Sequence, residues 1–186
     1  MKRKIIAILL MAALSISALG ATPWIQVGGI IDYGKSVSDE SFAEGFKDIS
    51  NYGFGAEARI NLFSWVSIDV PATFRFGDGF TISTRPSINL NIPALSLLDI
   101  AFGLGTNLDF SAEDDGWTMN GTPLSDGMDT LKNSSLFYRG AVTFNLSVLS
   151  IGIAAEIPMK GTFSSFDMTP SWDSARLSAS VLVNLL

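Results

Sequence analysis

The chain has 186 residues, with 12 basic and 18 acidic side chains, a net charge of −6, and neither cysteine nor histidine. The acidic excess argues against nucleic acid as a partner, because phosphate binding needs clustered Lys and Arg. Without Cys and His, a disulfide-stapled scaffold, a Ser-His-Asp or Cys-His catalytic site and the typical zinc ligand sets cannot be assembled.

The first 21 residues have the order of a secretory signal peptide. A basic cluster at residues 2–4 precedes an apolar run at 5–14 and small residues at 18, 20 and 21. The apolar run is shorter than the roughly 20 residues that a membrane-spanning helix needs. We therefore predict cleavage after Gly20 or Ala21, with residues 22–186 forming one exported domain.

The mature region is apolar without containing a long apolar segment. Mean hydropathy over the whole chain is +0.35, yet after the first 21 residues the apolar residues alternate with polar ones, most strictly at 51–63 and 66–77. Alternating strands of a membrane barrel show lipid an apolar face without a long hydrophobic run. We predict an all-β, antiparallel, up-and-down transmembrane barrel of eight strands, at about 24–36, 51–63, 66–77, 80–92, 97–112, 134–147, 149–160 and 174–186.

The connections between these strands alternate in length. Joins near 64–65, 93–96 and 148 are short, whereas those at 37–50, 113–133 and 161–173 are long, as in barrels with short periplasmic turns and long outer loops. The Gly-rich join at 77–79 is the exception, a tight hairpin turn on the outer side. An Asn-Leu dipeptide recurs at the same position of four strands, beginning at Asn61, Asn89, Asn145 and Asn184.

Charged residues identify the lumen. When the register is taken from the apolar residues alone, the strand charges fall on the opposite face, and Lys35 at a strand tip is the exception. An Arg facing lipid at mid-depth costs about 2 to 4 kcal/mol, so five would cost about 10 kcal/mol or more. We expect a structural network of paired charges in the lumen, and we regard carboxylate acid–base catalysis as the weaker alternative. The members are Asp32, Glu57, Arg59, Asp69, Arg75, Arg85, Asp99, Asp109, Arg139, Glu156 and Arg176.

Aromatic residues concentrate at strand ends on the apolar face. This placement is typical of the two interfacial girdles of a membrane barrel, although core aromatics of a soluble sandwich are the alternative. The predicted girdle residues are Tyr33, Tyr52, Phe63, Trp65, Phe76, Phe80, Phe110 and Tyr138.

Two further patterns have simpler explanations than ligand binding. Residues 53–58 match a G-x-G-x-x-A nucleotide fingerprint, but they open an alternating strand, and no helix follows to receive a phosphate. The acidic run 113–115 suggests a divalent cation, but an ordinary solvated loop is the favoured interpretation because no EF-hand spacing is present. Loop aromatics such as Phe46 and Trp117 mark either a contact surface or packing on the barrel rim.

Taken together, the pattern resembles the small eight-stranded outer-membrane barrels of the OmpA/OmpX/OmpW type over essentially the whole mature length. The resemblance implies a bacterial outer-membrane location, contact with outer-membrane lipid, and insertion by the barrel-assembly machinery. Such proteins usually end in an aromatic residue in phase with the lipid-facing positions. Here the last residue is Leu186, one position out of phase with the apolar series 177–185.

The function predicted from the sequence is non-enzymatic and needs no cofactor or metal. It is an outer-membrane barrel with a lumen plugged by side chains, acting in envelope structure or surface contact through acidic extracellular loops, with an unidentified extracellular ligand. One alternative is a narrow transporter or binding pocket for a small hydrophobic molecule. A second is a soluble periplasmic, lipocalin-like barrel that binds a ligand.

Overall fold

A computed structural model describes residues 23–77, 79–113 and 116–185, without the side chains of residues 76–80. The predicted signal peptide and its cleavage site, the acids at 78, 114 and 115, and the last residue lie outside the described residues. Twelve strands form one antiparallel sheet. They are β1 Ile25–Tyr33, β2 Tyr52–Phe63, β3 Val66–Gly77, β4 Gly79–Thr84, β5 Ser87–Leu95, β6 Leu98–Thr106, β7 Leu108–Glu113, β8 Gly116–Met119, β9 Thr122–Pro123, β10 Ser135–Leu146, β11 Leu149–Thr162 and β12 Arg176–Asn184.

The sheet closes on itself as an eight-stranded barrel. Each barrel strand pairs with its sequence neighbour, and β1 pairs with both β2 and β12, which joins the two ends of the ring. In this ring β4 and β5 together form the fourth barrel strand, and β6 and β7 form the fifth. The predicted fold, an antiparallel barrel of eight strands with a neighbour-to-neighbour order, is confirmed.

The fourth and fifth barrel strands are interrupted where continuous strands were predicted. The first break falls at Arg85 and Pro86, and proline has no N–H to contribute to a ladder. The register is nevertheless the same on both sides, because the Arg85 N–H donates to the Pro71 carbonyl and the Thr106 N–H donates to the Pro86 carbonyl, each at 3.1 Å. The second break is at Asn107, where the fifth barrel strand changes partner: β6 pairs with β10, whereas β7 pairs with β8.

Alternation along each strand separates the two faces of the wall. In β5, Ile88 and Leu90 are 62% and 54% exposed, whereas Ser87 and Asn89 are 3% and 1% exposed. Successive side chains of a strand point to opposite faces, so the apolar set faces outward and the polar set fills the lumen. The described barrel therefore has the reverse of a soluble protein's arrangement, in which polar groups face outward.

The end of the barrel that carries the long loops contains structure that was predicted as loop. Within this region, residues 116–133 contain strand β8, which pairs with β7, the short strand β9 and a one-and-a-half-turn helix, α1 Gly127–Lys132. Short 3₁₀ turns at Glu44–Lys47, Ile49–Asn51, Leu124–Asp126 and Trp172–Ser174 complete this end. Among the described residues, no helix is both long and apolar enough to span a membrane.

Candidate functional site

The centre of the lumen is occupied by a dense ion-pair cluster. Arg59 binds Asp69 through two nitrogens, Nε at 3.0 Å and Nη2 at 2.9 Å. Arg139 lies between three carboxylates, 3.2 Å from Glu57, 3.3 Å from Asp69 and 3.3 Å from Glu156. All five side chains are buried, so each charge depends on its partners for compensation.

The cluster continues toward the long-loop end through two more arginines. Arg85 contacts Glu156 at 2.9 Å and lies 3.0 Å from Asp32, which Arg75 also contacts at 2.6 Å. The Arg85 Nη2 is within ion-pair distance of Asp32 but not in hydrogen-bonding geometry. Four arginines and four carboxylates are thus linked without interruption, and their formal charges cancel. We call this set, made of Arg59, Arg75, Arg85, Arg139, Asp32, Glu57, Asp69 and Glu156, the central network.

Strand register explains why these residues meet. Arg59 lies directly opposite Asp69 on the β2–β3 ladder, and Arg139 lies opposite Glu156 on the β10–β11 ladder. Opposite residues of an antiparallel pair share a face, so each pair points into the lumen. Gly53, one of the glycines of the fingerprint-like segment, gives the Asp32 carboxylate room that a Cβ would occupy.

A hydrogen-bonded layer made mainly of amide and hydroxyl side chains fills the lumen at the short-turn end. The Gln26 side chain donates to Ser150 at 2.8 Å and to Asn184 at 2.6 Å, and Ser150 donates to Asn145 at 2.7 Å. Asn145 in turn donates to Asp99 at 2.6 Å. Asp99 therefore belongs to this layer, whereas the sequence grouped it with the paired charges.

The lumen widens at the long-loop end into a polar cavity of about 710 Å³, which we call the outer cavity. Asp109 on its wall accepts hydrogen bonds from the Ser83 hydroxyl and from the Asn107 amide. Arg176, also on the wall, is the one arginine of the described residues that forms no ion pair. The lining residues are Arg75, Thr81, Ser83, Asn107, Asp109, Ser111, Asn120, Gly121, Asn133, Ser135 and Arg176.

A second cavity lies outside the barrel. It is an apolar groove of about 580 Å³ between the outward side chains of β5 and β6 and the loop that follows β11. Phe102 and Leu104 form part of its barrel side, and Phe166 and Met168 form part of its loop side. We call it the lateral groove.

The predicted girdle residues fall into two groups. At the short-turn end, Phe63 and Trp65 are 61% and 50% exposed and stack with their ring centres 5.7 Å apart. At the other end, Tyr33 is only 4% exposed, because its ring stacks on Phe46 at 4.6 Å and its hydroxyl donates to the Phe42 carbonyl. Tyr33 is thus a packing residue beneath the first loop, which corrects the assignment to a lipid interface.

Two more girdle residues at the long-loop end, Tyr52 and Tyr138, also contact loops. Tyr52 donates to the Phe46 carbonyl at 3.0 Å, and Tyr138 donates to the Met168 carbonyl at 2.9 Å. Phe110 is half-buried. The side chains of Phe76 and Phe80 lie outside the described residues.

Loop carboxylates are held in local turns. The Asp39 carboxylate accepts hydrogen bonds from the hydroxyl and the backbone N–H of Ser41, which lowers the pKa of Asp39 below its usual range. The same pattern recurs at Asp48 and Asp167, whose pKa values are lowered by hydrogen bonds from the residue two positions later. These acids are therefore ionised at neutral pH and stabilise the shape of their loops.

The described residues contain no group of three or more potential metal-ligating side chains. Glu113 accepts a hydrogen bond from Thr118 at 3.1 Å. Its acidic neighbours at 114 and 115 lie outside the described residues, so the interpretation of this run as an ordinary solvated loop stays a prediction.

This geometry defines the class of protein as a closed eight-stranded antiparallel barrel with a polar, ion-paired interior and an apolar exterior. No protein-family model matches the chain, and no curated protein sequence matches it either. Among solved structures, the crystal structure of Neisserial surface protein A matches with a TM-score of 0.44 and 13% sequence identity, covering 87% of this chain and 96% of that one. So loose an overlap carries no argument about function. Membership of the OmpA/OmpX/OmpW type stays a prediction.

Proposed function

We propose that this chain is an integral protein of a bacterial outer membrane, which it crosses as a closed barrel plugged by its own side chains. The separation of polar and apolar side chains between the two faces of the wall carries this proposal. Large apolar side chains such as Ile153 and Phe102, 63% and 58% exposed, cover the outside, while the central network is inside. Closed barrels satisfy their backbone groups internally, which makes such an exterior compatible with lipid.

The same separation argues against a soluble barrel that carries a ligand. A barrel that encloses an apolar molecule needs an apolar interior, whereas this interior holds Glu57 and Asp69, each 1% exposed, beside Arg139. In water, the outer surface would also be a continuous apolar patch of the kind that causes association. The lipocalin-like alternative therefore has no support from the arrangement of side chains.

We assign the protein a role in envelope structure or surface contact, carried by the long loops. Their acids include Asp39, Asp48 and Asp167, which the turns described above keep ionised. Phe166 and Trp172 in the loop after β11 are 61% and 63% exposed. Exposed aromatics beside fixed charges form a surface suited to contact with another molecule.

Cell fractionation tests the location directly. The full chain, expressed with its own N-terminus in a Gram-negative host, is expected in the membrane pellet, to resist extraction with alkaline carbonate, and to dissolve in detergent. Unboiled and boiled samples should migrate differently on a denaturing gel, because a closed barrel has no free edge from which to unravel. Recovery in the soluble periplasmic fraction would contradict the proposal.

The lateral groove favours a second candidate function, binding of a small hydrophobic molecule. Purified barrel in detergent would be titrated with the fluorescent probe N-phenylnaphthylamine. Phe166→Ser should weaken probe binding, because Phe166 lines the groove, while Phe144→Ser should not, because Phe144 is 52% exposed on the same outer face but away from the groove. Equal effects of the two substitutions would indicate nonspecific adsorption to the apolar exterior and eliminate this candidate.

A further inference from the structure

Arg176 differs from the other arginines of the barrel in its surroundings. The central network is already balanced, with four arginines against four carboxylates. Arg176 interacts electrostatically with two of those arginines, Arg75 and Arg85, and also with the carboxylates of Asp109 and Asp32. Arg75 and Arg85 are already paired with carboxylates of the central network. Arg176 itself forms no ion pair, so its guanidinium has unused donors that suit an anion.

The wall around Arg176 is built from neutral hydrogen-bonding groups. Besides the charged residues, the outer cavity is lined by hydroxyls and amides, among them Thr81, Ser111, Asn120 and Asn133. The volume of about 710 Å³ is within the range of roughly 300 to 1,000 Å³ found for small-molecule sites. None of the lining residues has a wholly apolar side chain, so a hydrophobic ligand would leave these polar groups without partners.

Two buried atoms of the lining also lack a protein partner. They are the Arg75 Nε and the Asn107 Oδ1, a donor and an acceptor on the same cavity. Both atoms are covered by neighbouring protein atoms, so they show that hydrogen bonding in the lining is incomplete but are not themselves open to the cavity. The other amide atom of Asn107 is already used, because its Nδ2 donates to Asp109 at 2.7 Å.

We propose that the outer cavity binds a small, hydroxyl-rich molecule with a single carboxylate, the chemical class of the sugar acids, and that Arg176 receives the carboxylate. A guanidinium matches the two oxygens of a carboxylate with parallel hydrogen bonds. The hydroxyls of the ligand then exchange hydrogen bonds with the serine, threonine and asparagine side chains of the wall. Asp109 on the same wall disfavours a second negative charge, which selects a monoanion over a polyanion.

The proposal goes beyond the function assigned above and is tested without a membrane. Barrel purified in detergent micelles would be titrated by calorimetry with D-glucuronate and, separately, with D-glucose, which differs in lacking the carboxylate. We expect glucuronate to bind at least roughly tenfold more tightly than glucose, as expected when a charge-assisted hydrogen bond is added. Equal affinities, or absence of glucuronate binding, would overturn the proposal.

Variants that remove a positive charge inside or outside the cavity distinguish binding at Arg176 from a general effect of protein charge on affinity. Arg176→Gln should reduce glucuronate affinity by roughly tenfold or more, and Arg176→Lys should retain part of it, because an ammonium keeps the charge but not the paired donors. Lys132→Gln removes the same charge from an exposed position off the cavity lining and should leave affinity unchanged. Unboiled gel migration reports whether each variant is folded. A folded Arg176→Gln barrel with wild-type affinity would place the carboxylate elsewhere and refute the assignment.

Discussion

Removing Arg139 is the sharpest perturbation of the central network. Its guanidinium lies between Glu57, Asp69 and Glu156 at 3.2 to 3.3 Å, and its side chain is 2% exposed. In Arg139→Ala these carboxylates lose a shared cation, and the network changes from balanced to a formal charge of −1. Breaking a buried ion pair by deleting one partner costs about 3 to 5 kcal/mol.

The structure places the expected loss near the lower end of that range. Arg59 still contacts Glu57 and Asp69, at 3.5 and 2.9 Å, and Arg85 still contacts Glu156 at 2.9 Å. No carboxylate is therefore left without any cation, and we expect a decrease of about 3 kcal/mol in the free energy of unfolding. Arg59→Ala should have a similar effect, because it removes the two hydrogen bonds that Arg59 donates to Asp69.

Urea unfolding of the barrel in lipid vesicles, followed by tryptophan fluorescence, measures this loss by linear extrapolation. Lys132→Ala is the control, because its ion pair with Asp129 is exposed and should contribute less than about 1 kcal/mol. Adding Glu156→Gln to Arg139→Ala should recover part of the stability, since it restores the charge balance. If Arg139→Ala and Lys132→Ala have the same stability, water solvates the lumen and the network is not structural.

Three other predictions follow from the sequence and the barrel geometry. Val142→Arg should block membrane insertion far more than Thr143→Arg, because the side chain at 142 faces outward and the one at 143 faces the lumen. Equal insertion of the two variants would show that the inward and outward faces of this strand are assigned wrongly. The intact mass of the exported protein should lack the first 20 or 21 residues, and retention of the leader would contradict the signal-peptide assignment. The protection factor of the Ser41 amide, which is its exchange rate relative to the intrinsic rate at the same pH, should fall as pH drops through the lowered pKa of Asp39, because protonation weakens the acceptor. A protection factor that does not change in acid would show that the turn does not depend on that charge.

The sequence could predict which face of each strand a residue occupies, because the side-chain period of a strand is two and the charges follow it. Arg59 and Asp69, for instance, could be assigned to the lumen from the apolar residues around them. Which charges pair across the lumen could not be predicted, because Arg139 and Glu57 are 82 residues apart and meet only when the ring closes. Alternation determines the face, while barrel closure determines the partner.

Loops were predicted from the sequence where the structure has a further hairpin and a loop that folds back on the barrel. Residues 120 and 121 are Asn-Gly, with φ of 51° and 75°, and they form the two-residue turn that joins β8 to β9. That dipeptide is a recognised hairpin signal, so this turn could have been predicted from the sequence. The burial of Tyr33 by Phe42 and Phe46 could not be read from alternation at all, because a loop that folds back obeys no strand period.

Closure of the lumen leads to a final prediction about conductance. An eight-stranded barrel leaves an interior only wide enough for side chains to fill. Here the outer cavity ends at the central network, and the cavity beyond it, at the short-turn end, measures only about 20 Å³, room for about one water molecule. An ion would have to displace salt bridges such as Arg59–Asp69 to pass.

The wild-type barrel should therefore carry negligible current in planar bilayers, although its lumen is polar throughout. Replacing both Arg59 and Arg139 by Ala would shorten the two side chains that fill the middle of the lumen and leave the carboxylates Glu57, Asp69 and Glu156 in excess. If this variant folds, as shown by unboiled gel migration, it should conduct with a preference for cations. Boiled protein at the same concentration controls for bilayer damage. Large, stable single-channel currents from the wild type would refute the plug and favour the transport function.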